Sequence, residues 1–480
     1  MFVGREDLLD QLNALWRAPV ASLVTCRGRR RIGKSTLIAE FARRSRVKFL
    51  KLEGLPPHKG VDNAKQLDSF ARQLAEQTGN DYQPLTNWFD AFARLDDNLS
   101  ARAKTIVLLD EISWMGKFDP SFPGELKFAW DNRFAKKPKL IVVLCGSVSS
   151  WIDTHILKNK GFVGRPSLNL VVPELTMKES YEFWRQGARG SQLATRDIVD
   201  VLSVTGGVPK YLERIDPVAT ADENIERLCF RTGGMLVDEF EEIFDDALDE
   251  GLSVRKKLLM AMVSGASSVS ELADAVDVGL NGRVSEHLEA LEQSGFIAKD
   301  EGLNPRSGKK TKELHYRICD NYTRFYLKYI EPHRALIKKG SFRFATLEQL
   351  PGWNAVMGLQ FENLVCNNIR EILRQIGLER TLLLSAAPFR QNKTARSDAC
   401  QIDLLLQTKH TDYLIEIKRR ESLGEEIVRE VQERAHKLKV KHGVSVIPIL
   451  VYEGCLSKRI PADGYFARII SAEDMIGRNL

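Results

Sequence analysis

Short apolar runs alternate along the first third of the chain with longer stretches in which apolar residues recur every three or four positions. The runs at 20–26, 47–52, 105–109 and 140–145 are strand-sized and β-prone, whereas the segments between them have helical periodicity. Strands that alternate with amphipathic helices are typical of α/β folds with a parallel sheet. The pattern therefore predicts an amino-terminal α/β domain.

A phosphate-binding motif follows the first of these runs. Residues 28–35 read GRRRIGKS, which fits the pattern G-x-x-x-x-G-K-[ST] without mismatch, between a predicted strand and a predicted helix. We expect Lys34 to reach the β- and γ-phosphates of ATP or GTP and the Ser35 hydroxyl to bind Mg²⁺. The predicted nucleotide-binding residues of this segment are Gly28, Arg31, Ile32, Gly33, Lys34, Ser35 and Thr36.

Acidic and hydroxyl residues follow two later strands. Asp110 and Glu111 come directly after the run at 105–109, and Ser147 follows the run at 140–145. Because parallel strands deliver their carboxyl ends to one edge of a sheet, we expect these side chains near the phosphate loop. Asp110 is predicted to hold Mg²⁺ and Glu111 to polarise the attacking water. Ser147 either contacts the γ-phosphate or the attacking water, or it belongs to an ordinary Gly-Ser turn.

Composition narrows the class of protein. The 480 residues, 43% of them hydrophobic, are too many for one ordinary core, and the net charge of +6 permits a nucleic-acid partner without requiring one. The seven cysteines include no C-x-x-C pair, so we expect neither a zinc site nor a disulfide framework. This cysteine usage favours a reducing, cytoplasmic location, and the longest apolar runs are strand-sized, which predicts a protein without a membrane span.

Several motifs in order resemble the archaeal-type ATPases of the AAA+/STAND lineage. They are segments 2–6, 28–35, 109–111, 145–147, 164–165 and 207–212. The resemblance implies an ATP-dependent P-loop sheet of the AAA+/ASCE type with a helical lid, and a homo-oligomer or a protein partner is compatible with it. It also implies that Pro209 of the lid helps to bind the nucleotide. Arg165 is a candidate arginine finger for the charge of the transition state.

Residues 251–350 resemble a winged helix-turn-helix. Three short amphipathic helices precede a basic loop at 306–312. The third helix has Glu286, Glu289 and Glu292 at its outward positions, where carboxylates would repel DNA phosphates in a major groove. The basic loop is still suited to contact a backbone. We favour a module that relays the nucleotide state or packs against its neighbours over one that reads a DNA sequence.

A second set of chemical residues lies after residue 350. Glu362 shares the edge of an apolar helical face, Asp403 lies on a predicted strand, and Glu416 and Lys418 lie on one face of the next strand. Asp403, Glu416 and the carbonyl of Ile417 are predicted to hold a divalent cation, and Lys418 to position water. Alternatively, Glu416 and Lys418 form a surface cross-strand pair.

This arrangement resembles the PD-(D/E)xK nuclease fold, which is restriction-endonuclease-like. The resemblance implies that Glu362, Asp403, Glu416 and Lys418 are catalytic and that Gln432 is a further polar candidate. The predicted domains are the ATPase core at 1–172, the lid and an acidic connector helix at 173–250, the winged helix at 251–350 and the nuclease-like domain at 351–480. We expect an ATPase that controls Mg²⁺-dependent cleavage of nucleic acid, DNA more than RNA. The alternatives are an ATP-driven switch that binds without cleaving and a chaperone-like ATPase.

Overall fold

A computed structural model describes residues 2–147, 149–187, 194–247, 251–276, 282–311, 313–393 and 398–478. Lys312 of the predicted basic loop and residues 248–250 of the predicted connector helix lie outside these ranges. The chain divides into two compact units. The first is Met1–Glu174 with Asp246–Asp249, and the second is Leu175–Asp245 with Glu250–Leu480.

The first unit is built on a five-stranded sheet in which all strand pairs are parallel. Its strands are β1 (Ser22–Arg27), β2 (Lys48–Glu53), β3 (Thr105–Asp110), β4 (Leu140–Gly146) and β5 (Pro166–Val171). Their spatial order is β2-β3-β4-β1-β5, so β4 separates the phosphate-loop strand from the acid-bearing strand. The prediction of an α/β fold with a parallel sheet is confirmed.

Helices cover both faces of this sheet. They are α1 (Glu6–Leu15), α2 (Lys34–Ser45), α3 (Asn63–Thr78), α4 (Trp88–Asp97), α5 (Ile112–Met115), α6 (Phe122–Asn132) and α7 (Ser149–Ile152). One apolar layer joins the sheet to α3, α4 and α6, and a second joins it to α1 and α2. Local signals set the helix ends, because Asp62 accepts a hydrogen bond from the Lys65 amide and Gly79 ends α3 with a φ of 72°.

The second unit opens with a group of helices. These are α8 (Met177–Gly187), α9 (Thr195–Thr205), α10 (Pro209–Leu212), α11 (Ala221–Cys229) and α12 (Glu239–Ala247). A capping box starts α11, in which Thr220 and Glu223 exchange hydrogen bonds with each other's backbone amides. Within the described residues, no helix of the chain is long and apolar enough to cross a membrane.

Three helices and a small antiparallel sheet follow. The elements are α13 (Leu252–Ala261), β6 (Ser267–Ser268), α14 (Val269–Ala275), α15 (Gly282–Gln293), β7 (Ile297–Asp300) and β8 (His315–Ile318), and then α16 (Asn321–Phe325) and α17 (Arg334–Lys338). The strand order is β6-β8-β7. Glu286, Glu289 and Glu292 are exposed on α15, at the outward positions that the helical period predicts.

The chain ends in a mixed sheet with helices. Its elements are α18 (Trp353–Asn367), α19 (Ile369–Gln375), β9 (Ser385–Gln391), β10 (Cys400–Gln407), β11 (Thr411–Leu423), α20 (Glu426–Lys437), β12 (Ser445–Leu456), α21 (Arg459–Asp463), β13 (Arg468–Ser471) and α22 (Ala472–Ile476). Strands β9, β10 and β11 are antiparallel, whereas β12 and β13 run parallel to β11.

The periodicity predicts one helix over 353–375, but the structure has two. Helix α18 ends at Asn367 and α19 begins at Ile369, with Asn368 between them. The Asn368 side chain donates to the Leu364 carbonyl at 2.8 Å and accepts from the Met177 amide at 2.9 Å. The side chain of Asn368 therefore takes a carbonyl that the backbone of an uninterrupted helix would bind, and it also accepts from the first amide of α8.

Candidate functional site

The phosphate loop has a backbone that few residues other than glycine adopt. Gly28 has a φ of 146°, and a Cβ atom there would lie 2.6 Å from the Val172 carbonyl oxygen. Gly33 has a φ of 84° at the start of α2, and Arg31 has a φ of 66°. This loop lies between β1 and the amino terminus of α2, where backbone N–H groups and the helix dipole favour phosphate.

Two cations hold the loop. The Lys34 ammonium is buried and donates to the carbonyls of Gly28 and Arg29, each at 3.0 Å. The buried Arg5 guanidinium donates to the carbonyls of Ile32 and, at 3.2 Å, Pro173. Sequence reasoning gave Arg5 no role of its own, although it belongs to the segment 2–6 on which the family resemblance partly rests.

Asp110 ends β3 beside the loop. Its Oδ2 atom accepts from the Ser35 hydroxyl at 2.6 Å and lies 3.1 Å from the Lys51 ammonium. A hydroxyl and a carboxylate oxygen are hard donors of the kind that Mg²⁺ prefers, so the pair fits that ion. The structure thus brings together Ser35 and Asp110, which the sequence separates by 75 positions.

Glu111 and Ser147 meet at the same edge. Ser147 donates to Glu111 Oε2 from its backbone amide at 3.1 Å and from its hydroxyl at 2.9 Å. Glu111 has a left-handed backbone, with a φ of 48°, which turns the chain at the end of β3. Burial raises the pKa of Glu111 above its ordinary value, while the charge of Lys34 and the hydrogen bonds from Ser147 oppose the rise. The serine is therefore more than part of a turn, since it orients this carboxylate.

Ile32 and Thr36, two further predicted nucleotide-binding residues, differ in exposure. Ile32 is buried in the layer between the sheet and α2, whereas Thr36 is exposed. Thr36 lines a groove of about 440 Å³ together with Phe2, Ala39, Glu40 and Arg43. This groove is open to solvent along α2.

The structure does not bring Arg165 to this site. Arg165 precedes Pro166, which pairs with Leu23 near the start of β1, whereas the phosphate loop follows Arg27 at the other end. Four strand residues separate the two positions by about 13 Å. The Arg165 guanidinium instead makes two hydrogen bonds to Asp131, at 2.6 and 2.9 Å. The role of Arg165 as an arginine finger stays a prediction, and these contacts do not favour its acting on the nucleotide of the same chain. Pro209 begins α10 in the second unit, and its role toward the nucleotide stays a prediction.

A second charged cluster lies on the hairpin of β10 and β11. Asp403 and Glu416 are both buried, with 6% and 0% of their surface exposed. The Lys418 ammonium contacts Glu416 Oε1 and lies 3.8 Å from Asp403 Oδ2. Asp403 Oδ2 also accepts from the Ile417 amide at 2.9 Å. A surface cross-strand pair is therefore the wrong interpretation of Glu416 and Lys418.

Arg434 of α20 completes this cluster. Its guanidinium contacts Glu416 Oε2 and lies 3.9 Å from Asp403 Oδ1. Gln432, the polar candidate that the sequence offered on this helix, is exposed instead. Burial and the Asp403 carboxylate raise the pKa of Glu416, whereas Lys418 and Arg434 oppose the rise. Two cations thus compensate two buried carboxylates.

Glu362 faces the same cluster from α18. Burial and the nearby charge of Asp403 raise the pKa of Glu362 to about 7, against the opposing charges of Arg390, Arg324 and Arg317. Across the described ranges, no group of three or more His, Cys, Asp and Glu side chains is arranged to hold a metal. The oxygen donors of Asp403 and Glu416 are chemically suited to a hard cation, but Lys418 and Arg434 contact the same oxygens.

The residue after Lys418 makes a contact that sequence reasoning missed. Arg419 forms an ion pair with Asp200 of α9 and lies 3.4 Å from Glu453 of β12. Burial and Glu453 raise the pKa of Asp200 to about 6, and Arg419 opposes them. The strand that carries Glu416 and Lys418 is therefore tied by charge to a helix more than 200 positions earlier in the chain.

The phosphate loop, the β3 carboxylates and Ser147 on the central strand together define a P-loop nucleotide-binding domain. Residues 2–215 match the family described as an ATPase domain predominantly from Archaea. The chain therefore contains an archaeal-type ATPase domain.

Other proteins resemble longer parts of the chain. An uncharacterized protein of Methanocaldococcus jannaschii is 25% identical over 373 residues, which are 75% of this chain and 76% of that protein. A Walker-type ATPase of Pyrococcus abyssi is 18% identical with a TM-score of 0.48, covering 68% of this chain and 96% of that one. The Aeropyrum pernix ORC2 protein is 15% identical with a TM-score of 0.42, covering 70% and 93%. Because both TM-scores are below 0.5, we draw no conclusion from these two structures about the ligands of this chain.

Proposed function

We propose that this protein is an ATPase whose nucleotide state controls a Mg²⁺-dependent nuclease in residues 351–480, acting on nucleic acid and on DNA more than RNA. The first half of the proposal rests on the ATPase domain that the family match establishes. The second half rests on the charged cluster of the β10–β11 hairpin. In this proposal, the lid lies within 173–250 and a winged-helix module within 251–350, between the ATPase core at 1–172 and the nuclease.

The residues of the ATP site have distinct roles in this proposal. Lys34 and the loop amides bind the phosphates, and Ser35 with Asp110 would hold Mg²⁺, which supplies charge neutralisation at the phosphates. Glu111 orients and polarises the attacking water, and Ser147 fixes the carboxylate that does so. In this proposal Arg165 would act as an arginine finger toward the nucleotide of a second copy in a homo-oligomer, since within its own chain it lies away from the phosphate loop and contacts Asp131.

One observation carries the nuclease proposal. Asp403, Glu416 and Lys418 converge on adjoining strands of an antiparallel hairpin, although all three are charged and two are buried. Burial of charge is expensive, and such clusters concentrate at functional sites. The element order of helix, three antiparallel strands, helix and parallel strand also supports the resemblance to the PD-(D/E)xK fold.

Asp403, Glu416 and the Ile417 carbonyl would supply the oxygen ligands. A bound Mg²⁺ would polarise the scissile phosphate and activate a water molecule. Lys418 can stabilise the charge that develops on the phosphate. Glu362 is mostly protonated below about pH 7 because of its raised pKa, so it is suited to hold a proton beside Asp403.

A second candidate function is an ATP-driven switch whose carboxy-terminal domain grips nucleic acid or a protein without cleaving. The contacts of Arg434 and Lys418 with Glu416 favour this candidate, because the two cations compensate the carboxylates without any metal.

Cleavage of supercoiled plasmid and of single-stranded DNA and RNA tests the proposal. Each substrate is incubated with Mg²⁺, with and without ATP, and with the wild type or a variant. We expect cut products from the wild type and none from Asp403→Ala or Lys418→Ala. Lys34→Ala should lose the response to ATP. Glu421→Ala changes an exposed carboxylate on the same strand and serves as the matched control.

Cleavage at the wild-type rate by both Asp403→Ala and Lys418→Ala would refute the nuclease site. ATP turnover with tight nucleic-acid binding, but without cut products under Mg²⁺ or Mn²⁺, would favour the switch. ATP turnover without affinity for any nucleic acid would favour the chaperone-like ATPase.

A further inference from the structure

Three loops of the second unit meet at one end of the β10–β11 hairpin. The Lys441 amide donates to the Pro305 carbonyl at 3.1 Å, which joins the loop after α20 to the basic loop between β7 and β8. The Ser445 amide donates to the His410 carbonyl at 3.0 Å, which joins the start of β12 to the hairpin turn. Basic segments that are far apart in the sequence are thus connected through their backbones.

These loops present unpaired positive charge. Arg306, Lys309, Lys409 and Lys441 are all exposed, and we call these four residues the basic edge. Within the described ranges, none of the four side chains forms an ion pair. The neighbouring Glu301 is already engaged by Lys299 at 2.8 Å and Lys310 at 3.3 Å, so it does not cancel the charge of the edge.

The basic edge leads toward the charged cluster. Strand β11 begins at Thr411 beside the edge and reaches Glu416 five residues later. Five strand residues span about 17 Å, which is close to the length of five base-pair steps of duplex DNA. A phosphate backbone held at the edge therefore has the reach to span the part of β11 that leads to Glu416, beneath whose surface the two carboxylates are buried.

Two observations favour a duplex backbone as the occupant. Helix α15 exposes Glu286, Glu289 and Glu292, which disfavours reading of base edges by that helix. In addition, the aromatic side chains of the second unit are at most half-exposed in its described part, whereas single-strand sites stack bases on accessible aromatic rings. What remains is a set of cations, which suits phosphates and carries no sequence information.

We propose that the basic edge binds the phosphate backbone of duplex DNA without sequence preference and holds it across the cluster of Asp403 and Glu416. The inference rests on the proposed function for its substrate class. It adds that the loop between β7 and β8 and the nuclease-like domain form one composite surface, bridged by Lys441 and Pro305.

Fluorescence anisotropy of a labelled mixed-sequence duplex tests this surface. The full chain is titrated in EDTA at several salt concentrations, so that binding is measured without cleavage. The variant carries Arg306→Ala, Lys309→Ala, Lys409→Ala and Lys441→Ala. We expect its affinity to fall at least tenfold at low salt. The slope of log affinity against log salt should decrease by about three to four, since each lost phosphate contact contributes ~0.9.

A matched variant removes four exposed lysines of the first unit, namely Lys59, Lys136, Lys139 and Lys160. It makes the same change in net charge and should retain the wild-type affinity and salt slope. Both variants should keep the wild-type thermal midpoint and ATP turnover, which shows that they fold.

Equal losses in the two variants would show that only net charge matters and would overturn the proposal, as would unchanged binding by the basic-edge variant. Stronger binding of single-stranded DNA or RNA than of duplex would overturn the choice of ligand. The binding assay is carried out in EDTA and needs no cleavage. A negative result in the nuclease assay therefore does not affect the interpretation of the binding assay, and a negative result in the binding assay does not affect the interpretation of the nuclease assay.

Discussion

The Lys51 ammonium lies 3.1 Å from Asp110 Oδ2, the same oxygen that accepts the Ser35 hydrogen bond. Lys51 comes from β2, the strand next to β3, and also pairs with Glu53 at 2.7 Å. The Asp110 carboxylate, which is expected to hold Mg²⁺, is therefore in contact with the Lys51 ammonium. A bound metal ion and Lys51 compete for this oxygen, while Glu53 offers the lysine a second partner.

Lys51→Met should increase the affinity for Mg²⁺ at the nucleotide site. Loss of one positive charge about 3 Å from the ligand oxygen, at a partly exposed position, should lower the Mg²⁺ midpoint about three- to tenfold. The midpoint is measured from the binding of a fluorescent ATP analogue titrated with Mg²⁺. Lys48→Met changes an exposed lysine of the same strand and should leave the midpoint in place. A midpoint that is unchanged or higher in Lys51→Met would contradict the competition.

Arg5→Ala should weaken nucleotide binding by loosening the phosphate loop, which the Arg5 side chain holds. Arg5 joins the carbonyl of Ile32 in the phosphate loop to that of Pro173 after β5, so its loss leaves two carbonyls without their donor. We expect the dissociation constant for ATP to rise about tenfold, which corresponds to about 1.4 kcal/mol. Isothermal titration calorimetry gives this constant directly. Arg17→Ala, at an exposed position, should bind ATP like the wild type.

Arg434→Ala should destabilise the protein in a way that a metal ion repairs. In the variant, Lys418 is the remaining cation of the cluster beside the fully buried Glu416. The free energy of unfolding should therefore fall by about 2–3 kcal/mol. Mg²⁺ or Mn²⁺ should then raise the thermal midpoint more in the variant than in the wild type, because the ion replaces the guanidinium charge. Gln432→Ala, two positions earlier and exposed, should change neither quantity. An equal effect of metal on all three proteins would show that the cluster does not bind it.

The sequence predicted the parallel sheet better than it predicted which side chains reach a site. The local sequence of the motifs at 28–35 and 109–111 is enough to predict their conformation, because a phosphate loop and an acid-terminated strand each have one characteristic local structure. The position of Arg165 depends instead on how β5 pairs with β1, and a register between distant strands is not written in a local pattern.

The position of Arg434 could have been predicted from its spacing to apolar residues, although its own charge suggests an exposed position. Ile427, Val431, Arg434 and Leu438 follow each other at spacings of four, three and four, so Arg434 occupies an apolar-face position of α20. Gln432 does not. Strand β9 was missed for another reason, because it contains Pro388, and proline is tolerated there since β9 lies at the edge of its sheet.

Glu362→Gln should make stability less dependent on pH. The folded-state pKa of Glu362 is about 7, above the ordinary value of 4.5, because of burial and Asp403. A carboxyl group with a raised folded-state pKa contributes stability that is fully present below its unfolded pKa and is lost as the pH rises through its folded pKa. The loss therefore falls between about pH 4.5 and pH 7 and amounts to roughly 3 kcal/mol.

Glutamine resembles the protonated carboxyl group and does not ionise, so the variant should have a higher thermal midpoint than the wild type above pH 7 and nearly the same one near pH 5. Thermal unfolding across this range checks the prediction. Glu379→Gln, at an exposed position, should follow the wild-type curve. If the curves of Glu362→Gln and the wild type run parallel from pH 5 to pH 8, Glu362 ionises at an ordinary pH and the proposed proton beside Asp403 is absent.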